Sequence, residues 1–64
     1  MTRKEMITKC VENQIERGIT KEEDKSYLIK QYLTGSFRMC YSRCVDWYNS
    51  TFDTNLRETE TQGL

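Results

Sequence analysis

The apolar positions of this chain fall into three runs at helical spacing. In the first, Met6, Ile7, Cys10, Val11 and Ile15 recur at steps of three and four, with Lys9, Glu12 and Glu16 on the other side. Thr2 followed by Glu5 matches a capping box, and Met1 and Met6 stand where a hydrophobic staple would join them. Gly18 can take the left-handed conformation that ends a helix. The pattern predicts a helix over residues 3–17, with Glu5 and Lys9 as an exposed i, i+4 pair.

In the second run, Thr20 and Glu23 repeat the capping box, and Glu22, Glu23 and Asp24 put negative charge at the positive end of the helix dipole. Helix is predicted over 21–34, with Leu28, Ile29, Tyr32 and Leu33 as its buried stripe. Lys30 points away, and Tyr27 projects far from the stripe, free to touch something else. Gly35 closes the helix and Ser36 is placed to cap the next one.

The third run, predicted over 37–52, is the most apolar. Turning about 100° per residue from Phe37, an arc of about 160° collects Phe37, Cys40, Tyr41, Cys44, Val45, Trp47, Tyr48 and Phe52. This helix is expected to be the floor on which the other two pack. Its opposite face carries Met39, Arg43, Asp46 and Ser50, flanked by Arg38, Ser42 and Asn49. A methionine beside an arginine on an otherwise polar face suits a contact surface. The fold class is therefore all-α: a compact three-helix domain over 1–52, then a flexible, frayed acidic tail over 53–64, where composition turns polar.

Composition narrows the chemistry. Sixty-four residues support one small domain with a marginal core. Three cysteines are an odd number, and Cys40 with Cys44 at i, i+4 on one helix suits no disulfide, so the thiols read as small apolar side chains. With no histidine in the chain, there is no Ser/His or Cys/His pair and no ordinary zinc set. A phosphate-cradling glycine loop and paired carboxylates are also missing, so the chain is expected not to be an enzyme and to need no metal or cofactor. Asn49, Ser50 and Thr51 spell a glycosylation acceptor, read here as a chance match. With no apolar run long enough for a membrane span or leader, a reduced cytoplasm is the expected home.

What remains is binding. Seven aromatic residues exceed what two short helices would cover, which predicts a protein-interaction module. Its expected partners are another copy of itself and a larger protein that it modulates, in the manner of inhibitor and accessory proteins of phages and mobile elements. The candidate contact residues are Tyr27, Met39, Arg43, Asp46, Trp47, Tyr48 and Phe52. The alternative is a nucleic-acid binder. The second and third helices, joined by Thr34, Gly35 and Ser36, have a helix-turn-helix outline, with Arg38, Ser42, Arg43 and Asn49 offered to bases or phosphates. A nucleotide held across an oligomer interface is the third option. Ten basic residues against ten acidic ones leave zero net charge, which favours neither of these.

Overall fold

The computed structural model describes residues 1–56 and consists, over those residues, of three α-helices without a strand. Helix α1 spans Arg3–Glu16, α2 spans Lys25–Thr34 after a single 3-10 turn at Glu22–Asp24, and α3 spans Tyr41–Phe52. The all-α, three-helix architecture is the one the periodicity predicts. Residues 57–64, the greater part of the expected tail, lie outside the described residues.

Helix α1 starts and stops as its sequence dictates. Thr2 accepts from the Glu5 backbone N–H at 3.1 Å, and the Glu5 carboxylate accepts from the Thr2 backbone N–H at 3.0 Å, completing the capping box. Glu5 is thus turned back onto the cap rather than paired along the helix with Lys9. At the other end Gly18, at φ 77°, reverses the chain. The Gly18 N–H then reaches the Ile15 carbonyl and the Ile19 N–H reaches that of Gln14, which is the Schellman arrangement.

The core is built around α1. Met6, Ile7, Cys10 and Val11 are fully enclosed, joined by Cys44 and Val45 of α3. Helix α1 packs along both other helices, whereas α2 and α3 touch each other far less. This corrects the expectation that α3 is the floor: the middle position belongs to α1, and α3 shows one side to it and the other to solvent. The expected buried stripe of α2 is likewise only half-buried, since α2 has a neighbour on one side; Leu28, Ile29, Tyr32 and Leu33 pack against the core without being sealed in it.

Two further local expectations, at Thr20 and at the start of α3, are corrected by contacts from elsewhere in the chain. Thr20 does not cap the second helix; its hydroxyl donates to Gln14 at 3.2 Å, while Lys21 precedes the 3-10 turn and Asp24 holds the N-cap of α2, neither with a side-chain capping bond. Gly35 does end α2, as expected, but at φ −98°, outside the left-handed region. Instead a side chain there would run into Gln31, whose Oε1 accepts from the Ser36 N–H at 2.9 Å. Finally, α3 begins at Tyr41 rather than 37, with Cys40 and not Ser36 at its N-cap. The segment Gly35–Cys40 is held out of helix by a 2.9 Å bond from the Met39 N–H to the Tyr32 carbonyl and a 3.0 Å bond from Arg3 Nε to the Met39 carbonyl. Phe37 and Cys40, placed on the buried arc by the helical count, are consequently exposed.

Arg3 is the main polar tie between elements. Besides the Met39 carbonyl, its guanidinium reaches the Leu33 carbonyl at 2.5 Å, one of the acceptors that α2 leaves unpaired at its C-terminus. The Tyr41 hydroxyl donates to the Met1 carbonyl beside it. The start of the chain is therefore fastened to the segment between α2 and α3.

Candidate functional site

The face of α3 turned away from α1 carries Arg43, Asp46 and Ser50, one above the other along the helix. Met39, held in place by Arg3, and Trp47 on the flank complete an open groove of about 340 Å³ lined by these five residues. Arg43, Asp46 and Ser50 are exposed, while Met39 and Trp47 are half-buried. The groove therefore has apolar walls and one charge of each sign. Neither the Arg43 nor the Asp46 side chain has a hydrogen-bond or ion-pair partner among the described residues.

Trp47 connects this groove to a second feature. Its ring lies 5.2 Å from that of Tyr32, centroid to centroid, and Tyr32 lies 6.4 Å from Phe37, both pairs tilted. Phe37 is 59% exposed, so a run of three rings passes from the groove out to solvent. Tyr32 and Phe37 were not among the residues singled out from sequence. Tyr32 reads as core from its spacing, and Phe37 reads as core only if α3 begins four residues earlier than it does.

The other expected contact residues do not join this groove. Tyr48 and Phe52 pack with tilted rings, centroids 4.7 Å apart, and line a separate groove of about 310 Å³ with Lys9, Glu12, Asn13 and Glu16. Tyr27 is 59% exposed on α2 and lines neither groove. Of the residues offered to nucleic acid, Arg38 is in the connecting segment and Arg43 is on the helix, so they do not form one helical face. Six residues separate α2 from α3, longer than a helix-turn-helix turn of about 3–4.

Ser42 is exposed, its hydroxyl 3.4 Å from Cys40 Sγ. Asn49 is used internally. Its side-chain carbonyl accepts from the Thr54 hydroxyl at 2.8 Å and the Leu56 N–H at 3.0 Å, and its amide donates to the Leu56 carbonyl at 2.9 Å. The first residues of the expected frayed tail are thereby pinned to α3.

The three thiols are free and divide by environment. Burial raises the pKa of Cys10 and, against the partial opposition of Arg3, that of Cys44. At exposed Cys40 the Ser42 hydroxyl, followed by backbone N–H groups at the start of α3, lowers it. No three His, Cys, Asp or Glu side chains converge as a metal site among the described residues. No described helix is long and apolar enough to cross a membrane.

Set against models of protein families, against curated proteins and against solved structures, the chain matches none.

Proposed function

We propose that this protein is a non-catalytic interaction module, and that it modulates another polypeptide by holding it against the α3 groove and the adjoining rings. The observation that carries this reading is the continuity of the two features. Trp47 belongs both to the groove and to the run through Tyr32 to exposed Phe37, so aromatic surface, methionine and an arginine with no partner among the described residues occupy one patch. Tryptophan, tyrosine and arginine dominate binding hot spots because each adds large contact area with a polar handle.

The test is site-specific photo-crosslinking in the cells that make the protein. A photoreactive residue at position 37 should capture other polypeptides, and the same group at Glu22, on the exposed 3-10 turn, should not. An absence of protein adducts at 37, or an identical set at both positions, would remove the reading.

A further inference from the structure

We propose, resting on the reading above, that the α3 groove takes the same groove of a second copy of this chain. The two α3 helices then lie antiparallel about a two-fold axis passing level with the Cys44–Val45 peptide. The charged stripe on α3 is symmetric about its middle: Arg43 and Asp46 stand next to Cys44 and Val45 on either side. Turned end for end about its middle, the stripe sets Arg43 opposite the partner subunit's Asp46 and Asp46 opposite the partner subunit's Arg43.

Isologous interfaces demand this kind of self-complementarity. A parallel alignment would instead set like charge against like. Among the described residues the two charges have no partner, so pairing them breaks no ion pair or hydrogen bond there. Zero net charge on each copy leaves no long-range repulsion to overcome. Two helices of this length, about 18 Å each, make a contact at the small end of stable interfaces, so the dimer is a reversible one.

Analytical ultracentrifugation of the full chain tests the pairing. The wild type should show a monomer–dimer equilibrium, with mass levelling at two copies. Arg43→Asp and Asp46→Arg, both at exposed positions, should keep the helical spectrum and each weaken the dimer at least tenfold, because each sets two like charges together twice. Mixing the two variants in equal amounts, or combining both changes in one chain, restores opposite charges across the axis and should restore the dimer.

Three results would overturn the proposal: a dimer indifferent to the single reversals, reversals that neither the mixture nor the combination rescues, or mass that climbs past two copies. A wild type that stays monomeric to about 500 µM also overturns it. Persisting adducts from position 37 to other polypeptides would in that case leave the interaction module standing, and their absence would remove both.

Discussion

Helices α1 and α2 carry equal numbers of large apolar or thiol side chains but fare differently. Helix α1 encloses Met6, Ile7, Cys10 and Val11 completely, and α2, with Tyr27, Leu28, Ile29, Tyr32 and Leu33, encloses none. The difference is one of position: α1 has a helix on two sides and α2 on one. In a chain this short there is too little material to cover an outer helix. Hydropathy decides which side of α2 turns inward; topology decides how far in it goes. The same division runs through α3, whose Cys44 and Val45 are core while Arg43, Asp46 and Ser50 on the other side are exposed.

The sharpest way to break the comparison is to truncate matched side chains. Ile7→Ala should cost about 2–5 kcal/mol because α1 cannot close over the cavity, whereas Ile29→Ala on half-buried α2 should cost about 1–2 kcal/mol. Urea melts of both variants measure this, and equal losses would show that α2 is held as firmly as α1. The alkylation rate of Cys10 gives a second reading, since that thiol is sealed in the native state and Cys40 is not.

Next in size is Arg3, which joins the first turn of α1 to the end of α2. Arg3→Ala should cost about 1.5–3 kcal/mol by leaving the Leu33 and Met39 carbonyls without their charged donor. Arg3→Lys should recover less than half of that, because an ammonium lacks the planar fork that serves both acceptors.

Smaller still is the end of α3. Asp53 sits in the left-handed region at φ 53° with a carboxylate at the negative end of the helix dipole. Asp53→Asn keeps a side chain that tolerates this backbone and removes the charge, so stability should rise by about 0.3–1 kcal/mol in a thermal melt.

The smallest effect is a pH dependence at the start of α1. Thr2, through its backbone N–H and then its hydroxyl, holds the Glu5 carboxyl below its ordinary pKa. A depressed carboxylate stabilises the fold above its unfolded pKa, and that contribution is lost as pH falls through the folded value. The gap between wild type and Glu5→Gln should therefore be widest near neutral pH and close in acid. A gap that widens in acid would contradict the capping role.

Local signals in the sequence were enough for α1 because its stripe, capping box and terminal glycine are satisfied by residues within a few positions of one another. They were not enough for the start of α3. Phe37 and Cys40 continue the helical spacing of Tyr41, Cys44 and Tyr48. What pulls that segment out of helix is a pair of hydrogen bonds at Met39, whose N–H donates to the Tyr32 carbonyl and whose carbonyl accepts from Arg3, 36 residues away.

The Arg43, Asp46, Ser50 face was legible because it depends only on helical periodicity, and the groove gathers these three with Trp47; Met39 joins them from ahead of the helix, where Arg3 and Tyr32 hold it. The ring run was not, because it needs the contact between α2 and α3. Arg3 did leave a trace: a basic residue in the first turn of a helix faces the positive end of the dipole, an unfavourable place unless other acceptors hold it.

Because Arg3 grips the Met39 carbonyl, one wall of the groove is set from the opposite extremity of the chain. Anything fused or trimmed just ahead of Thr2 is then an intervention on that wall, although no groove residue has been altered.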